Sequence, residues 1–503
     1  MMNASSGTAA SSEPAAAFST SEARAFARTF QAFLEWVASE QGDERNPVTA
    51  LLHEWLGERA AESVVTRSYS PFEHVNVQTA LNAWSTMPER SVRVEGVATP
   101  PHYGGLSLQQ LMVGDGPPLR LTSPELIDLP DGPDSTLACL RSALMLVDST
   151  DAGRYVVFVR GPSEHQPDLA LEIVGLPVSH AQQILAELDH LRSRLNVYRG
   201  HLLDVQAGPT GMQLSFVSLP PVHRGDVILP EATLRRIERH AIGMAEHRDS
   251  LLAAGQHLKR GVLLYGPPGT GKTHTTRYIV SQMDGYTRFL MSGQALAAIG
   301  GVSTLARELE PSVLVMEDVD LVATDRSFTP NGNPVLFELL DAMDGAAADA
   351  DLLFLLTTNR ADLLEAALAA RPGRVDVAVE IERPDADARR RLIELYAQHI
   401  PLAISEDEID SAVTRTEGVT ASFVKELLRR AVLNGLQDGA DQVAGTHLEA
   451  AVEDLLDSSQ RITRRLLGAD ADDLEPADPS LLQPATHAFV TGRGRRGTRF
   501  YYG

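Results

Sequence analysis

The chain has 503 residues, with 67 acidic and 44 basic side chains and a formal net charge of −23. Apolar residues make up 43% and charged residues 22%, which is typical of globular proteins and excludes a fibrous or wholly disordered chain. The single cysteine, Cys139, excludes an intrachain disulfide framework and a cysteine-based zinc site.

Charge and hydropathy also bear on partners and location. A strongly acidic chain disfavours broad binding to phosphate backbones, so we expect nucleic acid to be an unlikely partner. No segment approaches the roughly 20 consecutive apolar residues of a membrane helix, and residues 1–14 lack the features of a secretory signal. We therefore expect a soluble, cytoplasmic protein with no membrane partner.

Residues 1–20 are predicted to be a disordered lead-in, and residues 21–225 an N-terminal α+β domain of unknown type. Apolar residues in helical spacing follow Ser21 and recur from Leu51 to Leu56, while residues 155–159 and 169–174 are predicted strands. A long helix is expected after Pro177, packed on its own domain rather than in a coiled coil. The basis of this prediction is an apolar stripe with heptad spacing, formed by Ile184, Leu188, Leu191, Leu195, Tyr198 and Leu202.

From residue 226 to about residue 460, short apolar strands alternate with helices, which predicts an α/β fold with a parallel sheet covered by helices. One of these strands, residues 262–265, leads into a phosphate-loop motif. In such loops, glycines allow backbone N–H groups to surround phosphate oxygens at a helix N-terminus. Lysine reaches the β- and γ-phosphates, and the following hydroxyl binds Mg²⁺. The predicted nucleotide-binding residues are Gly266, Pro267, Pro268, Gly269, Thr270, Gly271, Lys272 and Thr273.

Polar residues follow two further predicted strands. Residues 313–316 are followed by Glu317 and Asp318, and residues 352–356 are followed by polar residues that include Asn359. Because the carboxyl ends of parallel strands lie at one edge of a sheet, these side chains are expected beside the phosphate loop. There, acidic side chains would serve Mg²⁺ and the attacking water.

The combined motifs resemble the AAA subfamily of AAA+ ATPases, a P-loop NTPase family. The resemblance implies an α/β nucleotide-binding core at 226–383 and a small helical lid at 384–460. It also implies bound ATP and Mg²⁺, with Thr273 and Glu317 on the metal, Asp318 and Asn359 in catalysis, and a ring, usually a hexamer. Arg371 and Arg374 would act as arginine fingers on a neighbouring subunit, because a guanidinium stabilises charge on the transferring phosphate.

Two features depart from the family pattern. The acids at 317–318 stand in the order Glu-Asp instead of Asp-Glu, which leaves slow hydrolysis open. The aromatic pore loop that grips a threaded polypeptide is missing. Ile299-Gly300 is a reduced version of that loop or a tight turn, and the sequence leaves both interpretations open.

Residues 461–503 are predicted to be an acidic linker followed by a basic docking tail. The ending Tyr501-Tyr502-Gly503 resembles the hydrophobic-Tyr-X tail of proteasome-activating ATPases, which implies a core proteasome or an adaptor as partner. The favoured function is ATP hydrolysis that remodels or unfolds protein clients. A nucleotide-controlled assembly factor or scaffold with slow turnover is the alternative. A nucleic-acid remodeller, suggested by four arginines at 493–499, is the third.

Overall fold

The computed structural model describes residues 25–26, 28–32, 46–98, 105–114, 119–163, 166–208, 211–320, 338–339, 341–343, 350–361 and 375–457. The chain divides into two compact units, one of residues 1–199 and 206–217 and the other of residues 200–205 and 218–503. The division therefore differs from a single boundary between residues 225 and 226. Among the described residues, no helix has the length and apolar character needed to cross a membrane.

The first unit contains an antiparallel sheet covered by helices on both faces. The strands are β1 (Val65–Tyr69), β2 (Arg90–Ala98), β3 (Arg120–Thr122), β4 (Glu125–Pro130), β5 (Thr136–Ser149), β6 (Gly153–Arg160) and β7 (Leu169–Val174). Their order in the sheet is β1-β7-β6-β5-β2-β3, and β4 pairs with the first half of the long strand β5. The described helices are α1 (Pro47–Leu56), α2 (His74–Ser85), α3 (Leu108–Val113) and α4 (Val178–Arg194).

Alternating side chains of this sheet form two cores. Helices α2 and α4 pack on one face, where Trp84 and Leu188 are buried, and α1 and α3 pack on the other, where Leu52 and Leu108 are buried. The predicted strands at 155–159 and 169–174 are confirmed as β6 and β7. The apolar stripe that begins at Phe26 lies mostly outside the described residues.

The expected long helix ends earlier than its apolar stripe. Helix α4 stops at Arg194, and Leu202 already belongs to strand β8 (Leu202–Gly208), which precedes β9 (Gly211–Phe216). Asn196 explains the stop, because its side chain accepts a hydrogen bond from the Tyr198 N–H at 3.0 Å and so favours a turn over the next helical bond. The preference for packing within its own domain is confirmed, since Ile184, Leu188 and Leu191 are buried in the core of the first unit.

The second unit contains a parallel sheet that includes β8. Its other strands are β10 (Arg260–Tyr265), β11 (Thr287–Ser292), β12 (Ser312–Glu317), β13 (Leu352–Thr358) and β14 (Val377–Glu380). The parallel strands lie in the order β14-β10-β13-β12-β11-β8. The predicted strands at 262–265, 313–316 and 352–356 are confirmed as β10, β12 and β13. The described helices in this part of the unit include α5 (Glu231–Glu238), α6 (Met244–Glu246), α7 (Arg248–Ala253), α8 (Lys272–Ser281) and α9 (Ile299–Glu308).

The amino ends of the sheet are held by one buried carboxylate, Asp351. It forms an ion pair with Arg260 at 3.0 Å and accepts a hydrogen bond from the Tyr286 hydroxyl at 2.9 Å. Asp351 and Arg260 are each almost fully buried. Arg248 also pairs with Asp351, at 3.1 Å. Removal of Asp351 would leave the buried charge of Arg260 uncompensated, so this carboxylate ties the start of β10 to the start of β13.

A helical subdomain follows the sheet. Its helices are α10 (Ala386–Ala397), α11 (Glu406–Arg415), α12 (Ala421–Gln437) and α13 (Gly445–Leu456), with the short parallel strands β15 (Leu402–Ala403) and β16 (Val443–Ala444) between them. Phe423, Leu427 and Leu455 lie at the centre of its apolar core. Apolar residues on α12 recur at helical spacing, so the sequence pattern itself specifies which face is buried.

Candidate functional site

The phosphate-loop motif lies between the end of β10 and the start of α8, in the strand–loop–helix order that the sequence predicts. Gly266 has a φ of 145°, and a Cβ at that position would lie 2.4 Å from the Ile381 carbonyl oxygen. Gly269 has a φ of 79°, and its own carbonyl accepts a hydrogen bond from the Ser422 N–H at 3.1 Å. The loop thus approaches the backbone after β14 on one side and the start of α12 on the other.

Replacing Gly266 with alanine tests how tightly this loop is packed. Gly266→Ala forces a Cβ against a backbone oxygen. We expect this variant to lower the free energy of unfolding by about 1–3 kcal/mol more than an alanine variant at another glycine with positive φ, where the added Cβ meets no atom. Gly285→Ala is the matched control, because Gly285 has a φ of 81° and a Cβ added there would meet no atom within 4 Å. Denaturant unfolding of both variants gives the difference, and equal losses would mean that the loop adapts freely.

Lys272 is the buried cation of the loop. Its Nζ donates hydrogen bonds to the carbonyl oxygens of Gly266 and Pro267, at 2.9 and 2.8 Å. Burial lowers the pKa of Lys272 to about 8, although the carboxylates of Asp318 and Asp320 partly oppose this effect. The ammonium group is therefore poorly solvated. An anion that entered the loop would place a negative charge beside it and so stabilise its protonated form.

Glu317, the last residue of β12, meets Thr273 on α8. Burial raises the pKa of Glu317, while a hydrogen bond from the Thr273 hydroxyl and the positive charge of Arg277 lower it. Arg277 lies one helical turn beyond Thr273, on the same side of α8. A carboxylate and a hydroxyl are oxygen ligands of the kind that Mg²⁺ takes in proteins, so these two residues fit the predicted metal pair.

Asp318 and Asn359 come together across the tips of β12 and β13. The Asn359 amide nitrogen donates a hydrogen bond to the Asp318 carboxylate at 3.2 Å. Asp318 has a φ of 50°, and among the described residues no other side-chain-bearing residue has a positive φ. Aspartate and asparagine tolerate this left-handed conformation better than other residues with a side chain. The chain thus accepts some backbone strain where it turns the Asp318 carboxylate towards Asn359.

The strand tips also hold residues to which the sequence motifs assign no role. Thr357, Thr358 and Asp320 are buried beside Asn359, and the Asp318 N–H donates to the Thr357 hydroxyl at 3.1 Å. A signal for them was present, since Asp320 and the two threonines directly adjoin the polar ends of two predicted strands. What the pattern lacks is the pairing between them, which only the register of β12 and β13 supplies.

One cavity lies beside the loop and another beside α8. The first, of about 180 Å³, is lined by Thr270 together with Leu229, Arg383, Ala388 and Ala421, so it adjoins both the loop and the helical subdomain. The second, of about 120 Å³, is lined by Glu317, Arg277 and Thr276 along α8.

The segment around Ile299-Gly300 is helical, and it is not a projecting loop. Residues 293–298 form a 3₁₀ turn that continues directly into α9, and the Ile299 side chain is 1% exposed. Neither the reduced pore loop nor the tight turn describes it. Several predicted residues lie outside the described part of the chain: Arg371, Arg374 and the tail residues Tyr501, Tyr502 and Gly503.

Comparison with known proteins adds the family. The model of the AAA family, the "ATPase family associated with various cellular activities", matches residues 262–383. This chain contains an AAA domain. The matched residues begin in β10 and end just after β14. The AAA domain therefore covers the phosphate loop, the acidic tip of β12 and the polar tip of β13.

The relatives share this domain. ATP-dependent zinc metalloprotease FtsH 1 of Conexibacter woesei is 31% identical over 233 residues, which are 44% of this chain and 35% of that protein. ATP-dependent zinc metalloprotease YME1L of Drosophila melanogaster is 32% identical over 221 residues, 42% of this chain and 30% of that protein. The chain thus spans about a third of the length of these two relatives.

A third relative matches over more of its own length. Proteasome-activating nucleotidase 2 of Halobacterium salinarum is 28% identical over 269 residues, which are 51% of this chain and 65% of that protein. Among solved structures, the crystal structure of the FIGL-1 AAA domain matches with a TM-score of 0.40 and 23% identity, over 48% of this chain and 86% of that one.

Proposed function

We propose that the AAA domain of this chain binds ATP and hydrolyses it to ADP and phosphate with Mg²⁺. The observation that carries the proposal is the convergence of three features at one edge of the parallel sheet. They are the buried Lys272 in its loop, the Thr273–Glu317 pair and the Asp318–Asn359 pair. Ligands of open α/β sheets bind outside the carboxyl ends of the strands, which is where these features lie.

The proposed chemistry assigns each group one task. Lys272 exchanges its two carbonyl partners for phosphate oxygens, and the loop N–H groups surround the β-phosphate. Asp318 polarises a water that Asn359 orients, and this water attacks the γ-phosphorus as the bond to the bridging oxygen breaks. Arg371 and Arg374 of a neighbouring subunit would stabilise the charge on the transferring group. The nucleoside would occupy the cavity beside Thr270, next to the loop.

Thr273 and Glu317 would hold Mg²⁺, which neutralises charge on the β- and γ-phosphate oxygens when bound. Glu317→Gln removes the anionic ligand and nearly keeps its shape. We therefore expect the Mg²⁺ concentration for half-maximal ATP hydrolysis to rise by about tenfold or more, because a neutral amide is a weaker ligand for a hard cation. Glu308→Gln on α9, away from the loop, is the control. Identical Mg²⁺ dependence in wild type and Glu317→Gln would remove Glu317 from the metal site.

For the biological role, we propose a ring, with a hexamer as the expected assembly, that remodels or unfolds protein clients. The support is the names of two kinds of relative, the ATP-dependent metalloproteases and the proteasome-activating nucleotidase. Within this proposal, residues 226–383 are the nucleotide-binding core, residues 384–460 the lid, and the N-terminal unit the part that selects clients. We expect the ring to act in the cytoplasm.

The tail supplies a separate test of the partner. Deletion of Tyr501, Tyr502 and Gly503 is expected to leave ATP hydrolysis unchanged and to abolish binding to a purified core proteasome, because the two tyrosine rings are the groups that a pocket on this partner would recognise. Surface plasmon resonance with full-length and shortened chains measures this binding. An Arg493→Ala, Arg495→Ala, Arg496→Ala variant controls for charge alone. Equal proteasome binding by the shortened chain would exclude tail docking.

The alternative is an assembly factor or scaffold that nucleotide binding controls and that turns over slowly. The shorter acid at Asp318 favours it, and so does the helical segment at Ile299, where no aromatic residue projects. Client unfolding coupled to many rounds of hydrolysis supports remodelling, whereas assembly driven by ATP binding without turnover supports the alternative. A nucleic-acid remodeller is the least favoured, because its only support is the arginine-rich tail.

A further inference from the structure

Asp320 is a buried carboxylate to which neither the sequence motifs nor the proposed chemistry gives a task. It lies in the turn after β12, and the residue is 7% exposed. One of its oxygens, Oδ1, accepts a hydrogen bond from the Thr358 hydroxyl at 2.9 Å and another from the Asn359 N–H at 3.1 Å. Burying a carboxylate is costly unless it is hydrogen-bonded. Here both bonds go to the tip of the neighbouring strand, β13.

Further hydrogen bonds join the same two tips. The Asp318 N–H donates to the Thr357 hydroxyl at 3.1 Å, and the Val319 N–H donates to the Thr357 carbonyl at 3.0 Å. The Thr358 hydroxyl, besides donating to Asp320, accepts from the Arg360 N–H at 2.9 Å. The β12 turn is therefore fixed to β13 residue by residue, and the backbone of Asn359 has its position set by Asp320.

Asn359 is held at two points, one on its backbone and one on its side chain. Its backbone N–H points at Asp320, while its side-chain amide reaches Asp318 at 3.2 Å. If Asp320 did not hold the N–H, the Asn359 backbone could rotate, and the amide would leave Asp318. A displacement of about 1 Å in a catalytic group can cost on the order of 10²-fold in rate.

We propose that Asp320 is a positioning residue, which holds Asn359 against Asp318 so that both act on one water. This inference rests on the proposed ATP hydrolysis. A purely structural role would not single out one step. Because the charge of Asp320 also acts on Lys272, nucleotide binding by the loop is expected to depend weakly on Asp320, whereas the chemical step depends on it strongly.

The experiment compares three variants of the full chain. We expect Asp320→Ala to lower kcat by about 10²-fold and to change the Kd for a fluorescent ADP analogue by less than about threefold. Asp320→Asn keeps an oxygen acceptor at the same place, so it is expected to recover most of the lost kcat. Asp351→Asn is the matched control, because it weakens a buried carboxylate network at the opposite end of the same sheet. It is expected to lower the melting temperature without a comparable loss of kcat per folded protein.

A double-mutant cycle with Asn359→Ala measures whether the two residues act together. In the Asn359→Ala background, Asp320→Ala is expected to lower kcat by no more than about threefold, because the group that it positions is already gone. A full, independent loss in that background would overturn the inference. So would equal kcat in wild type and Asp320→Ala.

Two further outcomes keep the tests distinct. If Asp320→Ala does not fold, Thr358→Val replaces it, since it removes one donor to Asp320 and suits a buried strand. Thr358→Val is expected to lower kcat with unchanged ADP affinity, and unchanged kcat would count against the inference.

If wild type binds nucleotide and never hydrolyses it, the proposed function fails and the inference falls with it. If wild type hydrolyses ATP and no variant affects kcat, the inference alone fails.

Discussion

Lys272→Ala is expected to weaken ATP binding by about 10²-fold or more. Hydrogen bonds to charged groups contribute about 1.5–3 kcal/mol each, and every 1.4 kcal/mol corresponds to a tenfold change in affinity. Lys272 has two such bonds available, which it now makes to the carbonyls of Gly266 and Pro267. Isothermal titration with a non-hydrolysable ATP analogue and Mg²⁺ measures the change directly, because no heat of hydrolysis is added.

The same variant separates binding from folding. Because burial lowers the pKa of Lys272, the charged form of this side chain opposes folding of the empty site. We expect nucleotide-free Lys272→Ala to melt close to wild type, and the increase in melting temperature that ATP causes to disappear. The chain has three lysines, Lys259, Lys272 and Lys425. Lys425→Ala on the exposed side of α12 is thus the natural control, and loss of ATP stabilisation in it as well would place the phosphate site elsewhere.

Asp318→Asn is expected to bind ATP without hydrolysing it, whereas Lys272→Ala is expected to lose binding itself. Loss of a positioned base costs about 10²–10⁴-fold in rate, and asparagine tolerates the left-handed backbone that Asp318 adopts. The variant is therefore expected to keep the wild-type melting temperature and ADP affinity while kcat falls. Asp318→Ala is a less clean change, because alanine adds a conformational cost at this φ of about 1–2 kcal/mol.

Single-turnover assays of ATP with Asp318→Asn check this expectation, and Asp376→Asn, outside the strand tips, serves as a folding control. Unchanged single-turnover rates in Asp318→Asn would assign water activation to another group. Asp318→Glu is informative in addition, because it restores the longer acid that the family usually has at this place. A higher kcat in Asp318→Glu would show that the shorter side chain limits turnover.

The fold of the AAA domain was predictable from the sequence because its signals are local. Strands buried on both faces are continuous apolar runs, as in β10, β12 and β13, and the phosphate loop has a fixed spacing of glycines. The convergence of Glu317, Asp318 and Asn359 followed from one rule, that parallel strands end at the same edge of a sheet.

Features that depend on contacts between distant residues were not predictable. The apolar stripe of α4 continues in the sequence beyond Arg194, but past the helix end the Val197 N–H donates to the side chain of Asn76, which lies 121 residues away. The assignment of residues 200–205 to the second unit depends on pairing of β8 with β11. The task of Asp320 depends on the register between β12 and β13, since its partners lie 38 and 39 residues away.

The hydrogen bond between the Ser422 N–H and the Gly269 carbonyl makes the start of α12 a natural position for a fluorescent reporter. Ser422→Cys keeps the backbone N–H and places a thiol on an exposed residue. The native Cys139 does not compete for the dye, because it is buried and its burial raises the pKa of its thiol to about 12. One maleimide dye would therefore label one site, and its emission would follow the contact between the phosphate loop and the helical subdomain in real time.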